Sequence, residues 1–181
     1  MAAGRQLLEE EGPEALTMRR LAERVGIRAP SLYKHLPDKA ALEAAIIATG
    51  FEEAAATFEQ AVEGAGEGPG DGRGEGPGEW QLAGRGNALV ALAAAYRRFA
   101  LEHPHLYRLM NNGPLPREHL PPGLENRTAA PLLRAAGSQA RARAVWAFAH
   151  GMVLLELDQR FPPEADLDAA WRAGIAAFQA G

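Results

Sequence analysis

Between Thr17 and Pro37 the chain spells a sharp turn that neither one long helix nor a strand can absorb. Met18, Leu21, Ala22 and Val25 recur at i, i+3, i+4 and i+7, the spacing of a single apolar stripe on a helix. Gly26 follows at once and can take the left-handed backbone of a tight turn, so Ile27 is expected to plug the angle between two helices. The next helix, expected from about Arg28 to His35, carries Pro30 in its first turn, where a missing N–H costs little. Pro37-Asp38 then breaks the chain, and Asp38 is placed to cap a further helix. Leu21, Ala22, Val25, Ile27 and Leu32 are expected to be core only. Two short helices held at an angle bury too little alone, so other helices must pack around them.

The rest of the chain supplies helices and almost nothing else. A first helix is expected from Ala2 to Glu11, ending at Gly12-Pro13, and Thr17 is expected to cap the second. The fourth continues through Leu42 and Ile46 to about Val62. Residues 64–78, GAGEGPGDGRGEGPG, place glycine at every second position, which penalises helix and gives a strand nothing to pack. That stretch reads as a flexible linker. Beyond Trp80, Leu89, Leu92, Tyr96 and Phe99 share one helical face. A short helix begins at His103-Pro104, a proline-rich loop spans Pro114 to Pro122, and a short helix is expected near Pro131 to Ala136. From about Ser138 to Phe161 one helix is apolar on two faces, Val145, Phe148, Met152 and Leu155 on one and Trp146, Ala149, Val153 and Leu157 on the other. Such a helix must be covered on both sides, and a second subunit is the expected second cover. A last helix is expected from about Ala165 to Phe178. Alternating β-branched residues are nearly absent. The fold class is therefore all-α, with a helix-turn-helix domain over 1–47, a linker over 63–79 and a helical bundle over 80–181.

Charge and composition exclude several functions. The chain has 181 residues, a net charge of −4 and no cysteine, so disulfides, zinc-thiolate sites and cysteine nucleophiles are ruled out. No apolar run reaches membrane-spanning length and no signal peptide is visible, so a cytoplasmic protein with no membrane partner is expected. Arg19, Arg20, Arg24, Arg28, Lys34 and Lys39 nevertheless stand between Thr17 and Lys39, opposed only by Glu23 and Asp38. A basic patch on an acidic chain is the electrostatic pattern of a site-specific nucleic-acid binder. His103-Pro104-His105 has no further ligands at useful spacing, so neither metal nor cofactor is expected.

The stretch LTMRRLAERVGIRAPSLYKHLPDKAALEAAI resembles the DNA-binding domain of the TetR family. Thr17, Arg19, Leu21-Ala22, Val25-Gly26-Ile27, Ser31-Leu32-Tyr33, His35, Lys39 and Leu42 carry the resemblance. It implies that Arg28, Ala29, Pro30, Ser31 and Lys34 face the major groove. Arg28 and Lys34 would donate to guanine, and Ala29 or Pro30 would touch a thymine methyl. Thr17, Arg19, Tyr33, His35 and Lys39 would hold phosphates, which fix register while base contacts choose sequence. Arg20 and Arg24 read instead as a solvated face, and Tyr33 has the alternative of packing its ring in the small core. Arg28 also stands where relatives carry a capping serine or threonine. Ahead of Arg5 stand only Met1-Ala2-Ala3-Gly4, where relatives have most of two further turns and often a basic arm; either the start site is misassigned or the arm is missing, which is expected to weaken the grip on phosphate and the packing of the first helix.

HPHLYRLMN and WAFAHGMVLLELDQRF resemble a TetR-family C-terminal domain with a Trp, His-Gly signature, here Trp146, His150 and Gly151. The resemblance implies a homodimer through residues of about 138–179 and a pocket for a small hydrophobic or aromatic effector. Tyr96, Phe99, Leu106, Tyr107, Met110, Trp146, His150 and Met152 would line it, although the same residues serve equally as bundle core. The expected function is a ligand-responsive repressor acting on a palindromic double-stranded DNA operator. The rival readings are a helical enzyme, or an architectural dimer, using the helix-turn-helix only as scaffold. No catalytic signature is present, and groove-facing Arg28, Ser31 and Lys34 are needless in either rival.

Overall fold

The computed structural model describes residues 1–66 and 88–179, and every regular element among them is helical. The helices are α1 (Ala2–Glu11), α2 (Met18–Arg24), α3 (Ala29–Leu32), α4 (Lys39–Gly66), α5 (Ala88–Glu102), α6 (Pro104–Asn111), α7 (Leu124–Ala136), α8 (Gln139–Leu157) and α9 (Leu167–Ala177). Of the glycine-rich stretch over 64–78, residues 64–66 close α4 and residues 67–78 lie outside the described residues. The chain divides into two compact units, one formed by Met1–Ala54 with Glu102–Asn126, the other by Ala55–Leu101 with Arg127–Gly181.

In the first unit Leu7, Leu8, Leu16, Met18, Leu21, Ala22, Leu42, Ile46, Leu106 and Tyr107 form the core. Thr17 opens α2, its hydroxyl accepting the Arg20 N–H at 3.2 Å. At the far end Ile27 N–H donates to the Ala22 carbonyl at 3.0 Å and Gly26 N–H to the Glu23 carbonyl at 3.2 Å, with Gly26 at φ 70°. This paired closure needs a left-handed residue at Gly26, and it turns the chain out of the helix. Asp38 caps α4 by accepting the Ala41 N–H at 2.8 Å. Gly50 lets α4 and α6 approach closely, since a methyl there would lie 2.6 Å from Met110 Sδ and 3.1 Å from Leu106.

Two expectations for this region need correction. Val25 and Ile27 are not core, being 42% and 43% exposed. Val25 is already the C-cap of α2 at φ −92°, ψ 2°, so its side chain leaves the stripe that Met18, Leu21 and Ala22 continue. Ile27 follows the left-handed glycine and faces outward. The second correction concerns α3, which is four residues long and does not run from Arg28 to His35. Arg28 gives it no side-chain cap, and Pro37 disfavours helical backbone at Leu36, so a short helix passes into turns.

In the second unit α8 buries Val145, Ala149 and Val153, a single stripe at intervals of four drawn from both of the expected faces. Trp146 and Leu155 are 49% and 43% exposed. Between α8 and α9 the Phe148 ring rests on Gly174 and meets Trp171 edge-on at 5.6 Å and Phe178 at 5.9 Å. A Cβ on Gly174 would overlap three carbons of that ring. Gly174→Ala should therefore destabilise by about 1–3 kcal/mol, because overpacking a rigid ring outweighs the roughly 1 kcal/mol alanine gains in a helix. A denaturant midpoint at or above that of the parent would refute this. The other correction here is α7, which begins at Leu124 and not near Pro131. Pro131 sits inside it, and complete burial of its ring offsets part of the lost backbone hydrogen bond.

Candidate nucleic-acid interface

The basic stretch from Thr17 to Lys39 sorts into tied and untied cations. Arg20 pairs with Glu11, and Arg24 with Glu10 and Glu11, so both guanidiniums are committed to α1. Arg19 stands out in solvent and makes an i,i+4 pair with Glu23 at 2.9 Å. Lys39, at the start of α4, reaches Glu43 at 3.4 Å. Exposed i,i+4 pairs of this kind are worth only a few tenths of a kcal/mol and yield readily to a phosphate. The Arg28 and Lys34 side chains are exposed and have no ion-pair or hydrogen-bond partner among the described residues.

Geometry places the uncharged groups beside these cations. Arg28 is the N-cap of α3, Ala29 and Pro30 form its first turn, and Ser31 is exposed one position on. Tyr33 follows at the C-cap with half its surface open, and Lys34 and His35 continue the exposed turn. Only Leu32 of this segment is buried, so the rest of the short helix offers its surface outward. Thr17 uses an oxygen lone pair for capping, and its hydroxyl hydrogen stays able to donate.

The residues expected around an effector divide between the two units. Leu106 and Tyr107 are buried core of the first unit, and Met110 lies against Gly50 in the same core. In the second unit Tyr96 and Phe99 pack on Phe58, at ring distances of 5.8 and 6.3 Å, a partner not anticipated from the sequence. Trp146 and His150 lie one turn apart on α8 with rings 6.1 Å apart, and Met152 is half-buried. A cleft of about 420 Å³ opens where α8 turns towards α9, lined by Leu155, Glu156, Gln159, Phe161, Pro162 and Leu167. None of the eight expected residues lines it.

Burial pushes the His150 imidazole below the usual histidine value. The fold thus favours the neutral ring, and unfolding takes up a proton between that lowered value and the ordinary one near 6.5. This contribution is at its most favourable above the ordinary value and is lost as pH falls through the interval. The denaturant midpoint should drop more between about pH 7.5 and about pH 5 in the parent than in His150→Gln. Equal drops would count against it.

Sequence comparison now bears on this geometry. Residues 1–46 match the pattern described as bacterial regulatory proteins, tetR family, and residues 89–178 match the tetracyclin repressor-like C-terminal domain. The chain belongs to the TetR family. It is a DNA-binding transcriptional regulator whose helix-turn-helix is α2, the Gly26 turn and α3. A class G tetracycline repressor of Vibrio anguillarum is 50% identical over 42 residues, a match covering 23% of this chain and only 20% of that repressor. An HTH-type transcriptional regulator of Mycobacterium tuberculosis is 27% identical across 96% of this chain and 75% of its own. A TetR variant from Acinetobacter baumannii, solved in complex with minocycline, is 26% identical with a TM-score of 0.63, covering 99% of this chain and 92% of that one. No helix among the described residues of this TetR-family chain is long and apolar enough to cross a membrane.

Proposed function

We propose that this regulator represses transcription as a homodimer on a roughly two-fold symmetric operator and releases DNA when a small apolar or aromatic effector binds. The untied pair Arg28 and Lys34, one on either side of α3, carries the DNA part of this reading. Cations already committed to carboxylates add little to affinity, whereas these two can be desolvated against base edges or phosphates without first breaking a pair. Thr17, Arg19, Ala29, Pro30, Ser31, Tyr33, His35 and Lys39 complete the proposed contact surface.

The outer face of α8 supports the dimer. Leu155 is large, apolar and exposed, and Gly151, one turn before it on the same side of α8, has no atom within 4 Å of where a Cβ would stand. A second copy crossing here would cover Leu155 and would approach closest at the glycine. Two-fold pairing through α8 and α9 would then set two α3 helices about one helical turn of DNA or more apart. Gly151→Leu tests this cleanly. The added side chain meets open space within one chain, so helicity and thermal unfolding at high dilution should be kept while sedimentation shows monomer. A variant that sediments as the parent does would place any interface elsewhere.

Effector coupling requires only that the ligand bind one arrangement of the regulator more tightly than the other. The minocycline complex of the Acinetobacter relative supports an aromatic effector class. Unchanged DNA affinity across a broad library of aromatic and hydrophobic compounds would argue against it.

A further inference from the structure

Glu9, Glu10 and Glu11 end α1 as three consecutive carboxylates, and the fold divides them between two helices. Glu10 and Glu11 hold Arg24 and Arg20 of α2. Glu9 turns to α6, where Oε1 accepts the Leu106 N–H at 2.9 Å and Oε2 accepts the His105 N–H at 3.3 Å. These are amides of the first turn of α6. Pro104 contributes no N–H there, and His103 at the N-cap supplies no side-chain acceptor. A carboxylate from a helix nearly a hundred residues earlier thus does what a local capping residue usually does, and its charge suits the positive end of α6.

A second contact secures the same corner. Glu53 of α4 accepts Arg5 of α1 at 2.5 Å through one oxygen and stands 3.2 Å from His103 Nε2 through the other. The start of α6 is therefore held by α1 directly and through α4.

We propose that Glu9 is a positioning residue for DNA binding, making α1 a connector that ties the first turn of α6 to the arginines of α2 and so to the set of α3. Cooperativity of this kind needs two arrangements that both sites bias, and the capped and uncapped states of α6 supply them. The inference rests on the DNA-binding surface described above. Its test uses the full chain with a double-stranded DNA fragment selected by the parent protein. Amide exchange across 104–111, with and without that DNA, is measured beside affinity for the parent, Glu9→Gln and Glu9→Ala.

DNA should slow exchange at His105 and Leu106 in the parent. Glu9→Ala should abolish that slowing and weaken affinity about fivefold, a size within ordinary coupling between sites. Glu9→Gln, whose amide oxygen still accepts, should fall between them and keeps the test open should the alanine chain unfold. Exchange at α6 that ignores DNA in the parent overturns the proposal. So does a folded Glu9→Ala or Glu9→Gln chain with lost capping and parental affinity, which would make Glu9 a plain structural cap. A parent that selects no DNA overturns the DNA-binding surface itself, a result separable from either of these.

Discussion

Replacing Arg28 and Lys34 together by alanine should lower affinity for the selected operator by about two orders of magnitude or more at 0.1 M salt. The estimate follows from about 1–3 kcal/mol for each good base contact, with about 1.4 kcal/mol per tenfold. Both side chains are exposed and unpaired among the described residues, so the change removes DNA contacts without leaving a buried group stranded. Fold and melting temperature should stay close to the parent's. Arg20→Gln and Arg24→Gln make the informative contrast, since those guanidiniums are held by Glu11 and Glu10. They should cost no more than about fivefold and leave the dependence on salt nearly as it was. Lys39→Ala should flatten that dependence by about one unit of slope, as a lost phosphate contact does. Fluorescence anisotropy on operator and scrambled duplexes over a salt series reads all of these. Larger losses in the α1-paired arginines than in Arg28 and Lys34 would falsify the assignment of the contact surface.

Arg97→Ala should destabilise the second unit by about 3 kcal/mol. Arg97 on α5 grips Glu156 of α8 through both oxygens, at 2.6 to 3.1 Å, and reaches Asp168 of α9 at 2.5 Å. It lies 5.9 Å from the Trp171 ring, whose indole N–H donates to Glu156 at 3.4 Å. Burial opposes the charge on the guanidinium, yet the hydrogen bonds and the charges of Glu156 and Asp168 outweigh it and raise the arginine above its ordinary value. Arg97 and Glu156 are each only 13% exposed in their side chains, so removing the arginine strands a carboxylate that water barely reaches. Breaking one side of a buried pair costs about 3–5 kcal/mol, and the partial exposure of Asp168 argues for the lower end. The corresponding fall in melting temperature is about 6–12 °C for a chain of this size. Arg97→Lys should recover only part of it, because an ammonium cannot match a carboxylate with two parallel N–H groups. A loss below about 1 kcal/mol in the alanine chain would show that three helices do not depend on this network.

The helical class and most helix starts were legible because each rests on local chemistry. Thr17, Ser138 and Asp166 each accept a backbone N–H three residues on, and Gly26 takes the positive φ that its turn demands. Periodicity was a poorer guide where an element ends. Val25 fits the stripe of α2 by spacing alone, yet hydrogen bonding closes the helix one residue earlier and leaves it exposed. Pro131 reads as a helix start and is an interior residue, because burial decides whether a proline's lost hydrogen bond is tolerated. In α8 the two expected apolar faces merge into one buried stripe of Val145, Ala149 and Val153, and Trp146 and Leu155 stay exposed on either side of it.

The family resemblance and the basic stretch were readable from residue order, since their residues lie close together along the chain. Which charges remain available was not. Arg20 and Arg28 are alike as letters, and only the packing of α1 beside α2 commits the first to Glu11 and leaves the second open. The grip of Glu9 on α6 and the meeting of Arg97, Glu156 and Asp168 likewise join residues far apart in sequence. Short-range periodicity reports which face a residue takes on its own helix. The partner across that face is set by tertiary packing, and it decides whether a charge serves DNA or the fold.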